Sequence, residues 1–317
     1  MTDLPDRCPP TAESSTALDG RRILFIGGGN MAGAMIGGLV ATGVSPGSIG
    51  VIEPTAAARQ ALVDKHGPVG TFTDAGEIEV DGRFDAVVLA VKPQQAAPAL
   101  AACRALLART PQVLILSIAA GIGVDLLISL SGGHRRVIRA MPNTPSLIGH
   151  GISGLFAPPD AGPGDLALAQ AILSAVGKVV RVPDEGLIDT VTAVSGSGPA
   201  YAFYLIEAMT EAGITGGLDL ASARTLAIHT VNGAALLALA SEEPAEILRA
   251  RVTSPGGTTA AAVAVLDRRE VKASIVEAIG AAAARSRQLS DEAKAAQAQP
   301  GGAAGAAGAA SPHGTQA

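Results

Sequence analysis

Aromatic side chains are scarce in this chain of 317 residues: Phe, Tyr and Trp make up 2%, and Trp is absent. A single-strand nucleic-acid platform needs aromatic faces for base stacking, so that class of function is disfavoured. Charged residues are also few, at 16%, and they sum to −5. An acidic surface repels phosphate backbones and anionic lipid, so neither nucleic acid nor a membrane is an expected partner. Two cysteines, Cys8 and Cys103, are too few for a disulfide framework or a cysteine metal site. Both read as inert thiols, Cys8 in an N-terminal tail and Cys103 on a surface helix, and no metal is expected. Gly or polar residues interrupt every apolar run before it reaches 18 residues, so no transmembrane helix is expected. The opening stretch MTDLPDRCPP has no apolar leader core, which points to a reducing cytoplasm.

What is plentiful is aliphatic: 48% of residues are apolar, chiefly Ala, Leu, Val and Ile. Such side chains suit helix-on-sheet and helix-on-helix packing, and the length allows two domains. Residues 1–20 and 291–317 are expected to be disordered tails, the second ending in QPGGAAGAAGAASPHGTQA. Between them lie eight short β-branched runs: 22–27, 48–53, 69–72, 85–91, 113–119, 136–141, 151–157 and 178–182. They are apolar throughout, as in a sheet covered on both faces, and Ala-rich helical stretches alternate with them. The expected fold class is therefore an α/β Rossmann domain over 21–182, with a doubly wound, mainly parallel sheet. After Pro183 only helical patterns remain, which predicts an all-α domain over 183–290.

ILFIGGGNMAGAMIGGL, residues 23–39, places three glycines where the first strand ends. Gly27, Gly29 and Ala32 fit G-x-G-x-x-A, with a strand before and a helix after. The first glycine makes the turn, the second lets a pyrophosphate approach the backbone, and the small third residue lets helix and strand pack closely. Asn30 and Met31 open the helix, whose free N–H groups favour phosphate. Glu53 ends the second strand near the ~20-residue spacing at which an acid accepts from a ribose 2′-hydroxyl. It also reads as a solvated strand-end charge, and Arg59 in the next helix is placed to meet a 2′-phosphate. NAD and NADP both remain open.

Two more strand ends matter, because ligands of such sheets lie at the carboxyl ends of the strands. AVKPQ (90–94) ends one with Val91, Lys92 and Pro93. SIAAGI (117–122) ends the next with Ala119, Ala120 and Gly121, small enough to let a nicotinamide ring lie against the backbone. MPNTP (141–145) reads as a rigid turn, functional or purely structural. In SGSGPAY, Ser195 or Ser197 is placed to cap the helix near Pro199. TSPGGTT, residues 253–259, has bare backbone at Ser254, Gly256 and Gly257, and a helix begins at Thr258 or Thr259. That is a second anion site, with hydroxyls attached.

GGGNMAGAMIGG, AVKPQ, SIAAGI, MPNTP, SGSGPAYAFYLIEAM and VTSPGGTTAAAVAVLD occur in this order. As a set they closely resemble the pyrroline-5-carboxylate reductase family, from about Arg21 to about Arg287. The resemblance implies a Rossmann domain plus a helical domain that intertwines with a partner into a homodimer. Dimers of the family can build a larger ring, a homodecamer. The implied reaction is NAD(P)H-dependent reduction of L-1-pyrroline-5-carboxylate to L-proline, the last step of proline biosynthesis. By motif matching, Gly27 to Ala32 hold the pyrophosphate, while Val91-Lys92-Pro93 and Ala119-Ala120-Gly121 line the nicotinamide half. The stretch from Ser254 to Gly257 with Thr258 and Thr259 binds the substrate, the two threonines holding its carboxylate. Thr259 also faces the imine nitrogen. Glu242 matches an acidic residue contributed across the dimer. Ala75 after Asp74 departs from the family's usual Asn, which puts one contact on the adenosine side in doubt.

Two alternatives stand beside this. A hydroxyacid dehydrogenase of the same architecture needs a Lys or His base on the interdomain helices. No Lys lies between Lys178 and Lys272, and His229 sits mid-helix in an Ala/Leu-rich stretch. A nucleotide-binding regulator would be expected to have lost the SPGGTT loop, which is intact here.

Overall fold

The computed structural model describes residues 16–79 and 83–298 of the chain. Cys8 and the sequences MTDLPDRCPP and QPGGAAGAAGAASPHGTQA, the latter beginning at Gln299, lie outside the described residues.

All eight expected runs form strands of one sheet: β1 Ile23–Ile26, β2 Ile49–Ile52, β3 Gly70–Phe72, β4 Ala86–Leu89, β5 Leu114–Ser117, β6 Val137–Met141, β7 Gly151–Phe156 and β8 Gly177–Arg181. Their order is β3-β2-β1-β4-β5-β6-β7-β8. The first six are parallel. β7 runs antiparallel to β6, and β8 runs parallel to β7. The chain thus reverses direction across the sheet between β1 and β4, the switch point at which such folds bind ligands.

β1, β2, β4 and β5 are buried at every position. The reason is visible in β1: Ile23 and Phe25 enter the core on one face, Leu24 and Ile26 the core on the other. Helix α1, Asn30–Ala41, covers the first face through Met35, Ile36 and Leu39. Helix α2, Ala56–His66, follows β2; α3, Pro93–Arg109, covers the second face through Leu100, Leu106 and Leu107. Helices α4, Val124–Leu130, and α5, Pro163–Ser174, complete the two layers.

Past β8 the chain is helical: α6 Leu187–Val191, a π-helical turn Thr192–Gly196, α7 Gly198–Thr215, α8 Leu220–Ala240, α9 Ala245–Arg251, α10 Thr258–Arg268 and α11 Val271–Ala298. α7 and α8 pack closely where Gly213 meets Ala223; an added Cβ on Gly213 would approach the Ala223 Cβ to 2.9 Å. Phe203, Tyr204 and Leu239 are 60%, 76% and 84% exposed, an apolar surface too large to suit a lone chain in water.

Several expectations need correction. Leu18 is buried in the core, so the ordered chain begins before residue 21. The boundary at Asp291 falls inside α11, which continues to Ala298 because Leu289 and Ala293 return to the sheet domain. The 21-residue α8 holds an 18-residue window of mean hydropathy 1.2, apolar enough to cross a membrane by length and composition alone, a test that core helices also pass and that does not overturn the expectation of no membrane span. Its alanines and leucines outweigh the polar residues that interrupt them. Cys103 is buried against the sheet, and burial pushes its thiol up to about 11, which keeps it protonated. Ser197 precedes α7 without a side-chain cap, and the Ser195 hydroxyl donates to the Val191 carbonyl at 2.9 Å instead.

Candidate active site

The turn after β1 is bare for three separate reasons. Gly27 has φ +96, and a Cβ there would lie 2.7 Å from Val91 Cγ1 and 2.9 Å from the Ala90 carbonyl oxygen. A Cβ on Gly28 would lie 2.8 Å from Leu62 Cδ1 and 3.2 Å from Glu53 Cγ. Gly29 differs: an added Cβ would meet nothing within 4 Å. Its backbone therefore faces open space, where a ligand can come close. Gly29 is also the N-cap of α1, with no side chain capping the helix and no acid in the first turn. The amides at Asn30 and Met31 keep their free donors and the positive end of the dipole. Ala32 is fully buried, and Gly33 N donates to Gly29 O at 2.9 Å. This bare cradle at a helix N-terminus fits the pyrophosphate of a dinucleotide.

A cleft of about 570 Å³ opens over this turn. Its walls include Gly27, Gly29, Glu53, Asp74, Val91 and Lys92. Glu53 is held there by amides from Gly28 and Thr55. Asp74 caps the turn Ala75–Glu77 by accepting from Gly76 N at 2.7 Å, and the small Ala75 is buried behind it. Lys92 is exposed at the N-cap of α3.

The nicotinamide-side residues divide. Val91 and Lys92 line this cleft; Pro93 and Ala120 line a neighbouring groove of about 380 Å³ beneath Leu289 and Ala293. Ala119 is buried at the end of β5, beside β4. Gly121, at φ +72, lies against Leu289, with an added Cβ reaching 3.6 Å from its Cβ. The C-terminal part of α11 therefore backs this strand end, a contact that the motifs alone gave no sign of.

Ser254, Gly256, Gly257, Thr258 and Thr259 form one compact turn in the helical half. Gly256 takes φ +73, Gly257 N donates to Ser254 O at 3.1 Å, and α10 starts at Thr258 with Gly257 as an uncapped N-cap. Thr258 is exposed and Thr259 half-buried. Glu242 is exposed too; its neighbour Glu243 points to Arg251, accepting from its guanidinium at 2.5 Å. That pair spans α9 and steadies the chain entering the turn. Among the described residues, the cleft over the glycine turn draws its walls from within residues 26–103, and this second turn does not line it.

Two further buried residues link elements around the site. Asn143 of MPNTP is buried, its Nδ2 donating to Ser195 O at 3.0 Å and its Oδ1 accepting from Ile152 N at 2.9 Å. It ties the end of β6 to the π-helical turn, so the motif has at least a structural task. Asp189 accepts from the Ser286 hydroxyl at 2.6 Å in a buried contact between α6 and α11.

Two family models match separate parts of the chain. Residues 185–289 match the family model for pyrroline-5-carboxylate reductase dimerisation, and residues 22–121 match that for NADP oxidoreductase, coenzyme F420-dependent. A pyrroline-5-carboxylate reductase of Pseudomonas aeruginosa is 45% identical over 273 residues, 86% of this chain and 97% of that protein. A solved pyrroline-5-carboxylate reductase from Coxiella burnetii superposes with a TM-score of 0.80 at 39% identity, covering 86% of this chain and 99% of that one. The Plasmodium falciparum pyrroline carboxylate reductase, solved with NADP bound, gives 0.75 at 25% identity over 86% and 99%.

Proposed function

The chain belongs to the pyrroline-5-carboxylate reductase family, and from that premise we propose how its residues reduce L-1-pyrroline-5-carboxylate to L-proline. The observation that carries the proposal is the pair of bare helix N-termini, at Gly29 and at Gly257, one in each half of the chain. Two anionic groups must be held, a pyrophosphate and a small carboxylate, and each half offers one seat.

Reduced nicotinamide supplies a hydride when bound, and NAD(P)H is the cofactor. Gly27, Gly29, Asn30, Met31 and Ala32 hold the pyrophosphate, with Glu53 on the ribose side. Val91, Lys92, Pro93, Ala119, Ala120 and Gly121 form the strand ends beside the nicotinamide. The turn Ser254–Thr259 holds the substrate carboxylate on its free amides and on the Thr258 and Thr259 hydroxyls. Thr259 also keeps a hydrogen-bond partner at the ring nitrogen, and Glu242 adds a negative charge near the protonated imine.

The reaction asks little more. A hydride adds to the imine carbon, the C=N π electrons move to nitrogen, and the proton already on the iminium remains as the N–H of proline. No strong base is consumed, so orientation is the main contribution, and such positioning supplies up to roughly 7–11 kcal/mol.

The chain functions as a homodimer in which the Thr259 turn of one copy closes the cleft of the other. The exposed apolar surface on α7 and α8, within the segment matching the dimerisation model, supports this. Assembly of dimers into a homodecameric ring, residence in the cytoplasm, and a division near Pro183 into a dinucleotide-binding half and a helical half belong to the same proposal.

The test is oxidation of NADH or NADPH dependent on pyrroline-5-carboxylate, with proline identified as product. Rapid, stoichiometric proline formation is expected. A protein that binds the dinucleotide but leaves the imine untouched would refute the assignment.

A further inference from the structure

The glycine turn carries an acid of its own. Glu53 stands at the end of β2, next to β1, where the adenosine ribose lies in a dinucleotide fold. Its Oε2 accepts the Gly28 amide at 3.0 Å and its Oε1 the Thr55 amide at 2.9 Å. Burial works against its charge, but those amides, the Thr55 hydroxyl and the Arg59 cation outweigh it and hold the carboxyl below its ordinary range.

Converging backbone amides at a strand-end turn make an anion seat, the kind a phosphate uses. Here the seat is filled by the protein's own carboxylate. Arg59, the cation that would serve a 2′-phosphate, is turned back on the main chain: its NH1 donates to Glu53 O at 2.7 Å and to Pro54 O at 2.8 Å. A carboxylate has about four lone-pair sites, so with two amides bound it still accepts from ribose hydroxyls.

We propose that Glu53, seated on the Gly28 and Thr55 amides, makes this chain select NADH over NADPH. The inference rests on the dinucleotide assignment made above. A ribose with free 2′- and 3′-hydroxyls donates to Glu53 without disturbing it. A 2′-phosphate brings a second anion against an ionised carboxylate and finds the amides taken. To bind there, it must displace Glu53 and break two hydrogen bonds. Specificity then comes from a repulsive element as much as from an attractive one.

Calorimetric titration of the full-length protein with NADH, NADPH, 5′-AMP and adenosine 2′,5′-bisphosphate tests this without turnover. The native protein is expected to bind NADH about tenfold or more tighter than NADPH, and 5′-AMP tighter than the bisphosphate. Glu53→Ser, at a half-buried position, frees the amides and is expected to tighten NADPH while weakening NADH. Equal or tighter binding of NADPH by the native protein overturns the inference alone. So does an unchanged NADH-to-NADPH ratio in Glu53→Ser. Failure of both dinucleotides to bind overturns the cofactor assignment and this inference with it.

Discussion

Arg139 on β6 and Glu185 at the start of the helical half form an ion pair of 3.1 Å, with the Arg139 side chain only 5% exposed. The same Glu185 oxygen accepts Val124 N at 2.8 Å, at the start of α4. One carboxylate thus joins the sheet, a Rossmann helix and the first turn of the helical half. Glu185→Ala leaves a buried guanidinium without its counter-charge. The expected loss is about 1–3 kcal/mol, with the partial exposure of Glu185 keeping it under the cost of a fully buried pair. Urea unfolding of the variant beside the native protein measures it; a difference within about 0.5 kcal/mol would mean that the pair is ornamental.

The glycines of the first turn should fail in different ways. Gly27→Ala combines φ +96 with a Cβ pressed on Val91 and on the Ala90 carbonyl. A loss of about 1–3 kcal/mol in stability is expected. Gly29 has φ −70, and its Cβ would meet open space. Gly29→Asp is therefore expected to fold with a melting temperature close to native and to lose dinucleotide binding, since its carboxylate fills the pyrophosphate seat. Melting curves and cofactor titration, run on both variants, separate the two effects. Destabilisation by Gly29→Asp equal to that of Gly27→Ala would contradict the open cradle.

Thr259→Ala removes a hydroxyl that the fold does not need, since α10 has its N-cap at Gly257. Turnover is expected to fall about 10- to 100-fold, the range for a hydrogen bond to a charged partner. The dissociation constant for the dinucleotide should stay unchanged. Unchanged turnover with weaker cofactor binding would place Thr259 on the wrong half of the site.

His66 ends α2 and is buried over Gly37 of α1, where an added Cβ would reach 2.9 Å from its Cε1. Its Nε2 has no hydrogen-bond partner among the described residues. Burial first, and the Lys65 charge second, lower its proton affinity below the usual 6.5. Above that value it is neutral in both folded and unfolded chains. As pH falls below it the unfolded chain takes up the proton first, so stability declines with falling pH. His134 is also lowered, by burial first, and adds a share of the same sign. His66→Gln is expected to flatten the drop in melting temperature between about pH 7.5 and pH 5.5. An identical slope in the variant would remove His66 from the pH dependence.

The fold was legible because its strands are short, β-branched and buried on both faces, a pattern that helices do not copy. Glycines that end a strand and open a helix located the cradle for the same reason: only a backbone without Cβ fits there. What escaped reading was long-range. Nothing near Glu185 in the sequence indicates that it reaches Arg139 and Val124. Nothing in Leu289 indicates that it backs Gly121. The seating of Glu53 on Gly28 was hidden as well, because Gly28 fills a variable position of the fingerprint and its amide partner lies 25 residues away. α11 was cut short because its Ala-rich end looks like the low-complexity stretch that follows it. Ser195 and Ser197 both suit a cap by type, but Ser195 bonds back to Val191 and Ser197 makes no side-chain cap at the start of α7.

The dimeric site is tested most directly by co-expressing two variants, Gly29→Asp and Thr259→Ala, under separate tags and isolating the hybrid. If the Thr259 turn of one copy closes the cleft of the other, each hybrid dimer holds one site with both halves native and one with both defective. Turnover with pyrroline-5-carboxylate at about half the native value per dimer is then expected, although each parent variant is nearly inactive. A hybrid no more active than its parents would mean that both halves of the site come from a single chain.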